Sequence, residues 1–211
     1  GPLGQGVANA VGFSMASKFV GAQTNSETAK VIDHHVYCLC GDGDLEEGIS
    51  YEACSIAGHN KLDNLILIYD SNNITIEGST ELSISENMQK RFESQGWDFQ
   101  EIDGHNYEAI DAAIVNAKTS DKPSLIIAHT LIAKGAGDLE GSHHSHGAPL
   151  GDEVIAKAKE AAGFDPEKKF FVDEDVRARF SGALQTDSRG KRAHTAPAKQ
   201  TRARGTPAAL A

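Results

Sequence analysis

The sequence alternates short apolar runs with segments of helical periodicity, and this alternation constrains the fold more than any other feature. The run at 65–69 (Leu-Ile-Leu-Ile-Tyr) is continuously apolar, as expected for a strand of a parallel sheet that is covered on both faces. Strands are predicted at 36–40, 65–69, 97–102 and 125–128, and helices at 46–58, 85–95, 106–118, 151–162 and, more weakly, 173–180. Strands that alternate with helices imply βαβ units, so we predict an α/β fold with a doubly wound, mainly parallel sheet flanked by helices.

The first helix is predicted from a separate periodicity near the start of the chain. Val7, Val11, Met15 and Phe19 recur at every fourth position, which predicts one buried helix face. The chain starts at Gly1 without a methionine, so residues 1–4 are either the remnant of a cleaved tag or the interior of a longer protein.

Charge divides the chain into two predicted regions. The net charge is −10, but residues 181–211 hold six basic residues and one acid, which leaves −15 for residues 1–180. The acidic region argues against nucleic acid as a partner, and the basic tail has the composition of a disordered segment. We therefore predict a folded domain at 1–180 and a disordered tail at 181–211.

Cysteine content and hydropathy bear on the compartment. The three cysteines fit a reducing compartment better than a disulfide framework, which predicts a cytoplasmic protein. The sequence contains no apolar run of about 18 residues, so no membrane span is expected.

Polar side chains gather where the predicted strands end. Asp42 follows the first strand, Asn72 the second and His105 the third, and a loop rich in glycine and histidine at 133–150 follows the fourth. In open α/β sheets, ligands bind beyond the carboxyl ends of the strands. If the first two strands are neighbours, roughly 5 Å apart, Asp42 and Asn72 lie side by side. Carboxylate and amide oxygens suit Mg²⁺, and a glycine beside Asp42 lets backbone N–H groups approach a phosphate.

Each of these signals is weak when taken alone. A Gly-Asp-Gly sequence is most often only a turn, and the spacing of His143, His144 and His146 matches no standard zinc pattern. Glu46 and Glu47 fit either early-turn helix positions or a functional role. The combination of Gly-Asp-Gly at 41–43 with Asn-Asn at 72–73, separated by 28 residues, is far more specific.

This combination resembles the motif of thiamine-diphosphate enzymes, and further segments resemble the transketolase family. These segments lie at 1–6, 41–50, 91–97, 122–124 and 141–150, so the resemblance covers about residues 1–180. It implies a thiamine-diphosphate-binding fold that is incomplete here, because family sequence before the first segment and the later domains are absent.

The resemblance also implies roles for individual residues. The magnesium ligands would be the side chains of Asp42 and Asn72 and the backbone carbonyl of Ile74. The cofactor would be contacted by Gly1, Pro2, Leu3, Gly43, Asn72, Ile76 and His146. His146 would also touch the substrate and act in catalysis, by stabilising charge or by shuttling a proton.

The implied reaction is the transfer of a two-carbon ketol unit from a ketose phosphate to an aldose phosphate, with thiamine diphosphate and Mg²⁺ as cofactors. A carboxylate from a later domain activates the cofactor in this family, so we expect a homodimer or a complementary pyrimidine-binding subunit and no activity of the chain alone. The absent upstream sequence is expected to leave a sheet edge or an apolar face uncovered.

Two alternatives remain open at this point. The first is another thiamine-diphosphate enzyme, such as a dihydroxyacetone synthase or a 2-oxoacid dehydrogenase component. The second is a nucleotide-binding Rossmann-like module, which requires a third glycine where Glu46 stands.

Overall fold

The structure is a computed structural model that describes residues 2–182. The chain divides into two units, residues 1–164 and 165–211. The first unit contains, in order, α1 (Gln5–Thr24), β1 (Val36–Gly41), α2 (Asp42–Glu46), α3 (Gly48–His59), β2 (Leu65–Ser71), β3 (Ile74–Thr75), β4 (Gly78–Ser79), α4 (Met88–Ser94), β5 (Asp98–Asp103), α5 (Tyr107–Ala117), β6 (Ser124–His129) and α6 (Asp152–Ala161). The described part of the second unit contains α7 (Glu174–Gly182). The first two residues of the predicted disordered tail, Ser181 and Gly182, belong to α7, and the rest of the tail lies outside the described residues.

The main sheet has four strands in the order β1-β2-β6-β5, and all three neighbouring pairs are parallel. This arrangement confirms the predicted parallel α/β fold. The strand β6 lies between β2 and β5, an order that the sequence pattern did not indicate. All four strands end at the same edge, which we call the carboxyl edge, and their first residues define the amino edge.

Helices cover both faces of the sheet, which is the doubly wound arrangement. On one face, residues of α1, α3 and α4 form the larger core cluster with Leu65, Leu67 and Tyr69 of β2. On the other face, Ile66 of β2 belongs to a smaller cluster with residues of α5 and β6. The strand β2 alternates its side chains between two buried layers, which explains its continuously apolar sequence.

The prediction of a buried face on α1 is correct for two of its four residues. Val7 and Val11 are buried, but Met15 is 42% exposed and Phe19 is 67% exposed. An α-helix has 3.6 residues per turn, so residues spaced by four drift around its axis. The buried side of the helix instead continues through Ser14, which is fully buried.

Two further details differ from the predicted elements. The predicted helix at 46–58 begins at Gly48, because α2 ends at Glu46 and the backbone of Glu47 is extended. Glu46 and Glu47 are therefore not the first-turn residues of a long helix. The short antiparallel hairpin of β3 and β4 was not predicted, because strands of two residues have no periodicity.

The strand β1 lies at one end of the sheet order and leaves apolar side chains uncovered. Leu39 is 78% exposed and Tyr37 is 46% exposed, and both alternate with inward-facing residues of β1. Within the described part of the chain, no other strand pairs with the free side of β1. Tyr37 and Leu39 therefore form an exposed apolar pair on one face of this edge strand.

Candidate cofactor and metal site

Asp42 is buried at the carboxyl edge, immediately after β1, and is only 5% exposed. Its Oδ1 atom accepts a hydrogen bond of 2.6 Å from the Tyr69 hydroxyl of the neighbouring strand. Its Oδ2 atom is buried and has no hydrogen-bond partner among the described residues. Burial raises the pKa of Asp42. The Tyr69 hydroxyl lowers it, as do the nearby backbone N–H groups of Asn72 and Asn73, which do not complete a hydrogen bond to Oδ2.

Asn72 lies beside Asp42, because β1 and β2 are parallel neighbours with Gly41 in register with Asp70. This confirms that the two residues follow adjacent strands. The Oδ1 atom of Asn72 accepts a hydrogen bond of 3.0 Å from the backbone N–H of Ile74. An amide oxygen has two lone pairs, so this bond leaves it able to accept one more partner. Asn73 has a φ of 60°, and this left-handed residue turns the chain into β3.

A buried carboxylate oxygen without a partner requires a physical explanation, since burying an unpaired charge is unfavourable. A cation at this position would supply the missing partner. The oxygen atoms that follow these two adjacent strands include Oδ2 of Asp42, Oδ1 of Asn72 and the backbone carbonyls of the hairpin that begins at Ile74. This donor set consists of hard oxygen atoms, which suits Mg²⁺.

The metal-side turn (residues 41–45) is held to the start of the chain by Asp44. Its Oδ1 atom accepts a 3.0 Å hydrogen bond from the N–H of Gly4, and its Oδ2 atom accepts a 2.9 Å bond from the N–H of Gly41. A Cβ atom added to Gly43 would lie 3.4 Å from Cδ1 of Leu3. Leu3 is therefore brought beside Gly43, Pro2 is exposed, and Gly1 lies outside the described residues.

Gly4 requires its glycine for two reasons. Its φ of +74° is in the left-handed region, and an added Cβ would come within 2.8–2.9 Å of Ile49, Ser50 and Glu47. The backbone thus enters α1 in close contact with the start of α3.

Arg91 of α4 supports the other end of the metal-side turn. Its guanidinium donates a 2.8 Å hydrogen bond to the carbonyl of Leu45 and lies 3.3 Å from Glu86. It also lies 5.0 Å from the centre of the Tyr51 ring. Because its side chain is only 9% exposed, this cation is mostly removed from water.

Two predicted site residues are exposed. Ile76 lies in the turn between β3 and β4 and is 68% exposed. His146 lies at the end of a short 3₁₀ turn in the histidine loop (residues 133–150) and is also exposed. In the described structure, the His146 side chain makes no hydrogen bond, and it is not brought into contact with Asp42 or Asn72.

A cavity of about 220 Å³ opens beside the metal-side turn, between Asp42 and Tyr69 on one side and Glu101 and His129 on the other. The Nε2 atom of His129 lies 3.9 Å from a carboxylate oxygen of Glu101. A larger cavity of about 740 Å³ lies at the amino edge. We place the candidate site at the smaller cavity, because open α/β sheets bind ligands at the carboxyl ends of their strands.

Sequence reasoning missed the three residues that organise this edge, namely Tyr69, Asp44 and Arg91. For Tyr69, the sequence contained an indication of its role. A tyrosine at the end of an otherwise aliphatic buried strand needs a partner for its hydroxyl, and Asp42 stands near the end of the preceding strand. Asp44 binds Gly4 and Arg91 binds Leu45 across 40 and 46 residues of sequence, so no local pattern indicates these two contacts.

A parallel α/β sheet with a buried Asp and an Asn after adjacent strands is the arrangement expected of a cofactor-binding domain of the thiamine-diphosphate class. The chain matches the family "Transketolase, thiamine diphosphate binding domain" over residues 1–205. The chain belongs to this family. This result supports the transketolase interpretation and not the two alternatives left open by the sequence.

Individual relatives agree with the family match. The transketolase of Sinorhizobium medicae is 44% identical over 196 residues, which is 93% of this chain and 27% of the relative. The crystal structure of the transketolase of Campylobacter jejuni has 63% identity and a TM-score of 0.81, covering 85% of this chain and 28% of that one. A Pichia stipitis transketolase in complex with sedoheptulose 7-phosphate has 42% identity and a TM-score of 0.82, covering 85% and 27%. The chain therefore spans about a quarter of the length of these relatives.

No helix in the described residues is both long and apolar enough to cross a membrane.

Proposed function

We propose that this chain holds the diphosphate of thiamine diphosphate through Mg²⁺ at the carboxyl edge of its sheet. The ligands from the chain are the side chains of Asp42 and Asn72 and the backbone carbonyl of Ile74. The observation that carries this proposal is the buried Oδ2 atom of Asp42, which has no partner in the described structure. A divalent cation beside it compensates its charge and joins it to the diphosphate.

The other proposed cofactor contacts are those that the family resemblance implies. Gly43 faces the diphosphate, because its lack of a side chain leaves its backbone N–H accessible. The helix α2 has only five residues, so its dipole contributes little. Gly1, Pro2 and Leu3 line the thiamine, and Ile76 packs near its rings. The exposed side chain of Ile76 supports this role, since an apolar residue without intramolecular cover can pack on a ligand.

Bound thiamine diphosphate supplies the carbanion chemistry, and the protein positions it. In the whole protein, the reaction is transfer of a two-carbon ketol unit from a ketose phosphate to an aldose phosphate. The sugar-phosphate complexes described for the Pichia stipitis transketolase support this substrate class. His146 donates a hydrogen bond or a proton near the reacting carbonyl of the sugar. The three free thiols support a reducing compartment such as the cytoplasm.

The chain alone provides only one half of the site. A pyrimidine-binding region outside this sequence supplies the carboxylate that activates the cofactor, either from a copy of the whole protein or from a complementary subunit. We expect no ketol transfer between xylulose 5-phosphate and ribose 5-phosphate by this chain in a coupled assay. Turnover by the isolated chain that is lost in Asp42→Ala would contradict this half-site proposal.

Calorimetric titration of the chain with thiamine diphosphate tests the binding proposal. Binding should require Mg²⁺, and Asp42→Ala should weaken it by about 100-fold or more, since even changes beside a metal ligand cost about 10–100-fold. Asp103→Ala is the matched control, because Asp103 also ends a strand at the carboxyl edge but is exposed and bonds only locally. Equal losses in the two variants, or metal-independent binding, would refute the proposal.

A further inference from the structure

The turn after β5 contacts the segment where β6 ends and the chain continues towards the histidine loop, which we call the loop root (residues 129–131). His105, half-buried in this turn, accepts a 3.0 Å hydrogen bond at Nε2 from the backbone N–H of Leu131. The N–H of Gly104 donates a 2.9 Å bond to the first carbonyl of the root. A Cβ atom added to Gly104 would lie 2.5 Å from Cγ2 of Thr130, so the turn and the root are in close contact.

The loop root is also bonded to the end of β2. The N–H of Thr130 donates a 3.2 Å hydrogen bond to the carbonyl of Ser71, and the Thr130 hydroxyl donates to a carboxylate oxygen of Asp70. The next residue, Leu131, is held by His105 instead. The root is therefore fixed from two neighbouring strand ends, and His105 supplies the contact that lies nearest to the loop.

One further hydrogen bond connects the loop root to the histidines. Ile132 follows Leu131, and its carbonyl accepts a 2.9 Å bond from the N–H of Gly141. Gly141 comes shortly before the 3₁₀ turn at 143–145 and His146. A displacement of Leu131 would thus be passed to the segment that carries His146.

The chain also changes direction sharply at the first residue of the histidine loop. Ala133 has a φ of 52°, in the left-handed region that residues other than glycine rarely adopt. Such a conformation persists only where the surrounding structure holds it. The contacts of the loop root, two residues earlier, provide this constraint.

The bond to Leu131 also defines the tautomer of His105. A neutral imidazole has one N–H group and one acceptor nitrogen, and here the acceptor is Nε2, so the ring proton is on Nδ1. A phenylalanine ring at this position has no acceptor. A glutamine side chain has an amide oxygen at about the same distance from the backbone as Nε2.

We propose that His105 is a positioning residue that holds the loop root through Nε2 and fixes the direction in which the segment with His146 leaves the sheet. The inference rests on the proposed function, which assigns His146 to the substrate, and it adds the residue that orients this segment. The loop has only local bonds of its own, so its orientation depends on the root. His105 acts through the loop and not on the substrate.

The first test uses the full 211-residue chain without any substitution. ¹⁵N spectra of the histidine rings at mildly alkaline pH distinguish the two neutral tautomers. His105 should carry its proton on Nδ1. The Nε2–H form at this residue would overturn the inference, and this result does not depend on whether a variant folds.

His105→Phe removes the acceptor and keeps a ring. Amide exchange at Leu131 should become about 3–10-fold faster, as expected for the loss of one hydrogen bond. Thr130, whose amide is bonded to Ser71, is the internal reference and should keep its exchange rate. The backbone order parameters of residues 142–146 should fall below about 0.6, the range of flexible segments. Equal acceleration at Thr130 and Leu131, or unchanged order at 142–146, would contradict the proposal.

His105→Gln is the conservative variant and His59→Phe is the matched control. His105→Gln should return the exchange rate of Leu131 to within about twofold of the original, because it keeps an acceptor. His59 is exposed at the end of α3, ahead of the first residue of β2, and its substitution should change neither readout. A loss in His105→Gln as large as that in His105→Phe would show that ring packing matters and the acceptor does not, which would refute the proposed role.

These readouts are separate from the proposed function, because none of them involves the cofactor. If Asp42→Ala retains magnesium-dependent binding of thiamine diphosphate while His105→Phe behaves as expected, the proposed function fails and the role of His105 in holding the loop is supported. If Asp42→Ala loses this binding while His105→Phe leaves Leu131 and residues 142–146 unchanged, the metal site is supported and the role of His105 is wrong.

Discussion

The metal-side turn (41–45) and the histidine loop (133–150) lie in the same unit but are built differently. The turn is held by partners that are distant in sequence, since Asp44 binds Gly4, Tyr69 binds Asp42 and Arg91 binds Leu45. The hydrogen bonds of the histidine loop, among the described residues, are all local, as between Gly135 and Glu140. The chain therefore preorganises the part that we assign to diphosphate and metal. The part assigned to substrate receives no comparable support from the described residues.

The largest expected effect separates Gly4, which is bonded to the metal-side turn through Asp44, from Gly147 of the histidine loop. Gly4→Ala should lower the free energy of unfolding by about 2–4 kcal/mol, because it combines left-handed strain with overpacking against α3. Gly147→Ala should lower it by only about 1 kcal/mol, since its φ is +67° but an added Cβ meets nothing within 4 Å. Urea unfolding measures both values. Equal losses would mean that the start of α1 is not tightly packed against the start of α3.

A smaller effect is expected at Asp44. Asp44→Ala removes the acceptor of two backbone N–H groups and should destabilise the chain by about 2 kcal/mol. Hydrogen exchange should become faster at the amides of Gly4 and Gly41, which lose their partner. Asp103→Ala serves as the control, because its bond to the N–H of His105 is local. Unchanged protection at Gly4 would show that Asp44 does not connect the two segments.

The next prediction concerns pH, and here the substitution is expected to stabilise the chain, whereas the two preceding ones destabilise it. Burial raises the pKa of Asp42 in the folded chain, so folding favours its protonated form. The stability linked to this group is fully present below its unfolded pKa and is lost as the pH rises through the higher folded pKa. Without metal, Asp42→Asn should therefore stabilise the chain at pH 7 and give less benefit at pH 4. Urea unfolding at the two pH values measures the difference, and the same benefit at both would contradict the role of the carboxylate charge.

The smallest effect is expected in the histidine loop. His146→Ala should change the free energy of unfolding by no more than about 0.5 kcal/mol, as is usual for exposed side chains. Magnesium-dependent binding of thiamine diphosphate should stay within about twofold of the original, which a ΔΔG below 0.5 kcal/mol allows. Calorimetry on the isolated chain gives the result. A loss close to that of Asp42→Ala would show that the two regions act together without a partner.

These comparisons also indicate how far sequence reasoning reaches. The apolar runs and the spacing of Gly-Asp-Gly and Asn-Asn were sufficient to predict that Asp42 and Asn72 follow adjacent parallel strands. They could not indicate that β6 lies between β2 and β5, because strand order depends on which crossovers pack best. Met15 and Phe19 were wrongly assigned to the buried face of α1, because a spacing of four residues only approximates the helical repeat.

The contacts that support the candidate site were harder to predict from the sequence than the candidate ligands. A candidate ligand is recognised by its residue type beside a strand end, whereas its support depends on atoms brought together by the whole fold. Asp44 illustrates this point, since it stands next to the recognised motif and its role appears only when Gly4 lies beside it. His146 illustrates the converse, because a recognisable loop motif is exposed in the described structure.

The most direct test of the metal site is paramagnetic mapping with Mn²⁺ in place of Mg²⁺. With thiamine diphosphate present, substoichiometric Mn²⁺ should broaden the amide resonances of residues 41–45 and 72–74. The resonances at the amino edge, such as those of Ser14 and Asn64, should remain sharp. Broadening that is centred on the histidine loop or on the amino edge, with sharp signals at 41–45 and 72–74, would contradict a metal held by Asp42 and Asn72.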